Sequence, residues 1–187
     1  MLGPRPAGLE ALIERRRKLG LDLYDENWEG CYHVVPAPHP AHGFVGHELA
    51  VLLAPAAETQ GLVGLGPFNL GEPDDYRVPD GGYHRGLPDT VFVPTAAVVV
   101  EVVSPDDETF AKFAFYAAHG VEELLIADPA VRSVQFFALA EGRRYVEVDG
   151  GALLGVRAAE VTRRSPGPEP ATQRPWRGRL GRRRVVA

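Results

Sequence analysis

Residues 98–103 read Val-Val-Val-Glu-Val-Val, an apolar run interrupted by one carboxylate. A continuous run of β-branched residues predicts a central strand that is buried on both faces of its sheet. Side chains alternate along a strand, so Glu101 should share a face with Val99 and Val103. Because an isolated buried charge is very costly, we expect Glu101 to be neutralised, paired or bound to a cation.

A helix start follows this strand. Ser104-Pro105-Asp106-Asp107 offers capping side chains, a proline that the first turn tolerates, and acids that favour the positive end of the helix dipole. The helix is predicted over residues 107–119, with its end at Gly120. The next predicted strand covers residues 123–127, and the order strand, helix, strand indicates a right-handed crossover.

The other elements predict a mixed protein of the α/β (α+β) class. Apolar periodicity favours helices at residues 8–19 and 41–58, while strand-like composition marks residues 28–35. Short strands and turns are predicted over 60–95, including one strand that ends at Asp80 and is stopped by Gly81-Gly82. Residues 133–139 and 143–148 should form a hairpin at the sheet edge.

Length and charge indicate one domain followed by a tail. The chain has 187 residues, 45% of them apolar, which suffices for one core over residues 8–158. The net charge of −5 combines −12 for residues 1–160 with +7 for residues 161–187. This Arg/Pro-rich tail is predicted to be disordered, and it either contacts nucleic acid or is a solvated extension.

Cysteine content and hydropathy bear on the compartment. The chain has a single cysteine, Cys31, which cannot form an internal disulfide and is expected to be a small buried side chain. No stretch approaches the roughly 20 apolar residues of a membrane span, and residues 1–18 lack the apolar core of a signal peptide. The sequence therefore predicts a cytoplasmic protein without a membrane partner.

A second carboxylate, Asp80, stands between Pro79 and two glycines that leave room around it. Two carboxylates that converge in a poorly hydrated site repel each other, and a divalent cation usually relieves this repulsion. The alternative second acid is Asp89 of Pro88-Asp89, which opens an extended run. Asp80 could instead cap a turn at Gly81-Gly82, and Glu101 could reach solvent or an arginine.

The chain contains only two lysines, and one of them, Lys112, lies in the first turns of the helix after Glu101. Its long side chain could return the ammonium over the C-terminal end of the Glu101 strand. A metal held by two carboxylates can activate water and stabilise charge on a phosphoryl oxygen, and a nearby ammonium would assist. The plain alternative is a solvated helix lysine.

Several motifs occur in a characteristic order and spacing. They are Arg77-Val78-Pro79-Asp80, Val99-Val100-Glu101-Val102-Val103-Ser104-Pro105, Lys112, Tyr116, Gly120-Val121 and Leu125-Ile126-Ala127-Asp128-Pro129. This pattern, over about residues 32–139, resembles the Uma-two family of restriction endonucleases in the PD-(D/E)XK nuclease superfamily. The resemblance implies a restriction-endonuclease-like mixed sheet flanked by helices.

The resemblance also implies a set of site residues. Asp80 and Glu101 would be the metal-binding acids, with the backbone carbonyl of Val102 as a further ligand. The superfamily's lysine usually stands two residues after the glutamate, where this chain has Val103. The resemblance suggests that Lys112 supplies the ammonium instead. On the first core helix, Glu48 is the candidate further acid, with His42 as its neighbour.

Two functions follow from these observations. The first is a Mg²⁺- or Mn²⁺-dependent endodeoxyribonuclease that hydrolyses DNA phosphodiester bonds. The second is a non-catalytic nucleic-acid- or protein-binding module that retains the nuclease fold, because an acidic body lacks the basic surface expected of a DNA binder. The arginine tail or a homodimer could supply that surface.

Overall fold

The computed structural model describes residues 7–104 and 108–164. Within these residues the helices are α1 (Ala7–Lys18), α2 (Pro40–Thr59), α3 (Phe113–Ala118) and α4 (Ala158–Arg164), and a 3-10 turn covers Thr109–Lys112. The strands are β1 (Glu26–Trp28), β2 (Cys31–His33), β3 (Val63–Leu65), β4 (Asn69–Glu72), β5 (Asp75–Arg77), β6 (Gly81–His84), β7 (Phe92–Val93), β8 (Val98–Val102), β9 (Glu123–Asp128), β10 (Ser133–Ala140), β11 (Arg144–Val148), β12 (Gly150–Gly151) and β13 (Val156–Arg157).

The main sheet has six strands in the order β11-β10-β9-β8-β6-β3. Strand β8 lies inside it, is buried at every position, and pairs in parallel with β9 from Val98↔Glu123 to Val102↔Ala127. The neighbouring β6 and the β10–β11 hairpin add antiparallel strands. This mixed sheet with flanking helices confirms the predicted fold class, the central strand and the edge hairpin.

The two faces of β8 pack against different helices. Val98, Val100 and Val102 belong to a core that includes residues of α2, whereas Val99 and Val103 pack with Tyr116 of α3. The alternation predicted from the valine run is therefore confirmed. It directs the intervening Glu101 toward the α3 face, because residues two apart on a strand share a face.

Helix α2 begins where its sequence favours a start. Pro40 occupies the first turn, and the His39 ring accepts a hydrogen bond from the N–H of Ala41 at 3.1 Å. Its buried side chains recur four residues apart and pack against β8; they are Val45, Leu49, Leu53 and Ala57. This packing fixes the first turn of α2 near the C-terminal end of β8.

A second sheet, in the order β2-β1-β5-β4-β7, covers the α3 side. The buried guanidinium of Arg77 lies between two rings, 4.4 Å from the Trp28 ring centroid and 4.0 Å from that of Phe115. Cation–π contacts of this kind are stronger when they are desolvated. The stack connects β5, β1 and α3, and so holds β1 and β5 against α3.

The prediction that Gly81-Gly82 stops a strand in a turn is wrong. Both glycines begin β6 and pair with Val100 and Val99. A Cβ at Gly82 would lie 2.8 Å from the carbonyl oxygen of Val98, and one at Gly81 would lie 3.0 Å from that of Leu65. The glycines are therefore required by the close approach of neighbouring backbones.

The predicted helix over residues 107–119 is shorter in the structure. Residues 105–107 lie outside the described residues, the following turn is 3-10, and the α-helix begins only at Phe113. Thr109 is buried in that turn. The predicted end is confirmed, because Gly120 has φ +69°, a left-handed conformation that glycine adopts without strain.

Three further predictions need correction. The predicted strand at residues 28–35 is a hairpin, because Glu29 (φ 50°) and Gly30 (φ 88°) form a turn between β1 and β2. Cys31 is exposed, since β2 is an edge strand. Of the predicted tail, residues 161–164 belong to α4 and Val161 is buried, while 165–187 lie outside the described residues.

Candidate metal-binding and catalytic site

Two carboxylates meet at the C-terminal end of β8. Glu101 is the fourth residue of that strand and is only 3% exposed. Asp80 directly precedes β6, and its Oδ2 accepts a hydrogen bond from the N–H of Val102 at 2.8 Å. The antiparallel pairing of β6 with β8 thus brings Asp80 beside the residue that follows Glu101.

Lys112 ends the 3-10 turn, and its ammonium returns to this position. The Nζ atom lies 3.2 Å from Oε1 of Glu101 and 2.9 Å from Oε1 of Glu26, and the side chain is only 12% exposed. The solvated alternative for Lys112 is therefore wrong. Val103, two residues after Glu101, packs instead in the apolar core of the α3 face.

Glu26 was not predicted from the sequence. It is buried on β1 and accepts hydrogen bonds from the N–H of Val78 at 2.8 Å and from Nε1 of Trp28 at 2.6 Å. These bonds fix one carboxylate oxygen against Lys112. The strand was predicted to begin at Trp28, which left Glu26 in a loop, and its acidic side chain gave no other signal.

Tyr116 is completely buried on α3, and its hydroxyl donates a hydrogen bond to Oε1 of Glu101. Lys112 and Tyr116 are four residues apart, a spacing that places side chains on one helical face. This four-residue spacing is visible in the sequence, and Tyr116 belongs to the motif pattern, but no role was predicted for Tyr116 from the sequence. Its phenol fixes the orientation of the Glu101 carboxylate.

His42, in the first turn of α2, holds Asp80 from the other side. Its Nε2 lies 2.7 Å from Oδ1 of Asp80, and its Nδ1 lies 2.8 Å from Oγ of Ser104. Asp80 is therefore held by the backbone of β8 and by a ring on α2. These contacts exclude the alternative in which Asp80 only caps a turn at the following glycines.

The surroundings of Glu101 favour its protonated, uncharged form more than water does. Burial raises the pKa of Glu101 to about 7; the ammonium of Lys112 and the phenol of Tyr116 lower this pKa, whereas the charges of Asp80 and Glu26 raise it. Burial also raises the pKa of Tyr116 well above its usual value. Glu101 is thus an acid whose ionisation depends on nearby positive charge.

The ammonium of Lys112 behaves in the opposite way. Burial alone would lower its pKa, but the carboxylates of Glu101 and Glu26 outweigh burial and hold that pKa above its usual value. Lys112 therefore remains charged at neutral pH. The ammonium contacts Glu26 and Glu101, and the charge of Asp80 acts on Glu101, so the site has an excess of negative charge when all three acids are ionised.

The donor set fits a hard divalent cation. The hydrogen bonds and ion pairs of Glu101 with described residues all involve Oε1, so Oε2 is the oxygen that could bind a cation. Across residues 7–104 and 108–164, no group of three or more His, Cys, Asp or Glu is arranged to hold a metal. Two carboxylates suffice for Mg²⁺, because it keeps several waters and also binds substrate phosphate.

The remaining candidates lie apart from these contacts. Glu48 is half-buried on α2 and makes no hydrogen bond or ion pair with a described residue. Asp89 is exposed before β7, and nothing in the described part of the chain pairs it with Glu101. The N–H of Val102 contacts Asp80, while the ligand role of its carbonyl stays a prediction.

Comparisons with known proteins agree with this fold. The family model of Uma2, described as "Putative restriction endonuclease", matches residues 24–162. A crystal structure of a "putative nuclease belonging to DUF820" from Anabaena variabilis ATCC 29413 aligns with a TM-score of 0.62 and 14% identity, covering 75% of this chain and 90% of that chain. No curated protein matches the chain. Among the described helices, none is long and apolar enough to cross a membrane. Because the family model spans most of the sequence, the chain belongs to the Uma2 family of restriction-endonuclease-like proteins.

Proposed function

We propose that this protein is a Mg²⁺- or Mn²⁺-dependent endodeoxyribonuclease that hydrolyses phosphodiester bonds in DNA. The observation that carries the proposal is the meeting of Asp80, Glu101 and Lys112 at one end of β8. Membership of a family described as "Putative restriction endonuclease" supports the same reaction class. Among the described residues, Glu48 has no hydrogen bond or ion pair that supports a role as a further ligand.

The chemistry divides between two groups of side chains. Asp80 and Glu101 would hold the cation, which when bound activates water and offsets charge on a phosphoryl oxygen. Lys112 keeps a positive charge beside Glu101 and so favours its ionised form. Glu26 holds the ammonium of Lys112 in place through its own bonds to the backbone and to a ring.

Neighbouring hydrogen bonds position the two carboxylates. Tyr116 fixes one oxygen of Glu101, and His42 fixes one oxygen of Asp80. Ligand carboxylates in metal sites are commonly oriented by such partners. The side chain of Asp80 is 21% exposed and lines a cavity at the surface, so substrate can approach the site from this side.

Cleavage of supercoiled plasmid DNA tests the proposal. Wild type, Asp80→Asn, Glu101→Gln and Asp89→Asn are compared in Mg²⁺, Mn²⁺ and EDTA; Asp89 is the exposed acid of the second Pro-Asp pair and serves as the matched control. We expect metal-dependent cleavage by wild type and Asp89→Asn, and a loss of roughly 100-fold in the two site variants. Equal cleavage by all four proteins would contradict the proposal.

The non-catalytic alternative has one specific observation in its favour. The ammonium of Lys112 is engaged by two acids rather than free to meet a phosphate. DNA binding by the wild type with no metal-dependent turnover in the plasmid assay would support this alternative. A chain truncated after Arg164 then shows whether the basic segment supplies the affinity, because its removal should flatten the salt dependence of binding.

A further inference from the structure

A cavity of about 850 Å³ opens beside Asp80 and His42, between α2 and the β3–β6 edge of the main sheet. Its volume lies within the usual range of roughly 300–1,000 Å³ for small-molecule sites. Asp80 and His42 belong to its lining, as does Val100, whose side chain lies on the α2 face of β8, opposite to that of Glu101. A group that fills this cavity therefore lies beside the proposed metal site at Asp80.

The chemistry of the walls excludes a phosphate-binding role. The ionisable residues in the lining are His42, His47, Glu58 and Asp80, together with two tyrosines, and neither lysine nor arginine occurs among the lining residues, all of which are described. Two acids would repel a phosphate, and DNA backbones are usually bound by lysine and arginine. The occupant should therefore be an uncharged part of the substrate.

The small residues of the lining leave room for a flat ring. They include glycines in and directly after β3, Gly64 and Gly66, and alanines of α2, Ala50 and Ala54. The ring of Tyr83 packs against Gly64, so that a Cβ there would lie only 3.1 Å from the ring. The contact of Tyr83 shows that a planar ring packs closely against a glycine of this lining.

We propose that this cavity binds the base and sugar of one unpaired nucleotide next to the scissile phosphate, so that the protein acts on single-stranded or unpaired DNA. A base inside a duplex is stacked on both sides and paired at its edge, and it can enter a pocket only after it leaves the helix. The inference rests on the proposed nuclease function, because it places the nucleotide beside Asp80, which is a proposed metal ligand of that function.

The lining offers two substitutions that fill the cavity without strain elsewhere. A Cβ at Gly66 would meet no atom within 4 Å, and Gly66 has no left-handed backbone conformation, so Gly66→Leu adds a side chain to the lining without displacing a neighbour. Ala50→Leu adds bulk from an exposed lining position on α2. Gly86→Leu is the matched control, because Gly86 is equally open and exposed but lies outside the lining.

Fluorescence anisotropy with a labelled 20-nucleotide strand and its duplex measures binding in Ca²⁺, alongside thermal unfolding of each variant. We expect wild type and Gly86→Leu to bind the single strand at least about tenfold more tightly than the duplex, and both filled variants to lose about tenfold of that affinity. Equal binding of strand and duplex by wild type, or unchanged strand affinity in folded Gly66→Leu, would overturn the inference.

Cleavage of plasmid and of the labelled single strand separates the two proposals. Preference for the single strand that disappears on filling the cavity, in a protein that cleaves neither DNA with Mg²⁺ or Mn²⁺, supports the nucleotide pocket and contradicts the nuclease function. Cleavage of plasmid that is lost in Asp80→Asn but unaffected by Gly66→Leu supports the nuclease function and contradicts the pocket.

Discussion

Substitution of Glu101 by glutamine should remove a large pH dependence of stability. In the folded protein without metal, burial raises the pKa of Glu101 from 4.5 to about 7. The unfolded chain releases this proton near pH 4.5, whereas the folded protein keeps it until about pH 7. The stabilising effect is thus complete below pH 4.5 and is lost as the pH rises through 7.

The magnitude follows from the two pKa values. At about 1.4 kcal/mol for each pH unit between them, ionisation of Glu101 costs about 3 kcal/mol of folding stability. Glutamine has nearly the same shape and can still accept the hydrogen bond of Tyr116, but it carries no charge. The variant should therefore lose much less stability than the wild type between pH 5 and pH 8.

Urea unfolding in EDTA at pH 5 and pH 8 measures this difference. We expect the free energy of unfolding of wild type to fall about 3 kcal/mol more than that of Glu101→Gln. Comparison between the two proteins cancels the contribution of other groups, among them Glu123, whose pKa burial also raises. If the free energies of unfolding of the two proteins changed equally with pH, the claim that burial raises the pKa of Glu101 would be refuted.

Three other substitutions have defined outcomes. Lys112→Met leaves two buried acids without their ammonium and should lower the free energy of unfolding by about 3 kcal/mol at pH 7, measured in urea; a change below about 0.5 kcal/mol would contradict the buried ion pair. Tyr116→Phe removes a hydrogen bond to Glu101 and should cost about 2 kcal/mol in the same assay. His42→Ala should weaken Mg²⁺ binding by roughly 10-fold or more in calorimetry, while the exposed His47→Ala leaves it unchanged; equal loss in both would argue against positioning of the metal ligand.

The central part of the fold could be predicted because its signals are local. The continuous run of β-branched valines favours a strand buried on both faces, and the structure places it there as β8. Alternation along that strand gave the face of Glu101, and Gly120 gave the end of α3. Each of these signals depends on neighbouring residues in the sequence.

The rest of the site depends on packing between distant segments. Glu26 reaches Lys112 only because β1 pairs with β5 and Arg77 stacks between Trp28 and a ring of α3. No periodicity within residues 20–30 encodes that position. The paired glycines at Gly81-Gly82 were equally ambiguous, since glycine serves both turns and close approach of backbones.

An anomalous difference map from crystals grown with Mn²⁺ tests the metal site most directly. The site geometry predicts a peak between the carboxylates of Asp80 and Glu101, near Oε2 of Glu101, and its loss in Asp80→Asn crystals. Mn²⁺ takes the same oxygen ligands as Mg²⁺ and is visible by its anomalous signal. An ordered site with Lys112 and both acids in place, but no Mn²⁺ between them, would contradict a metal-dependent nuclease.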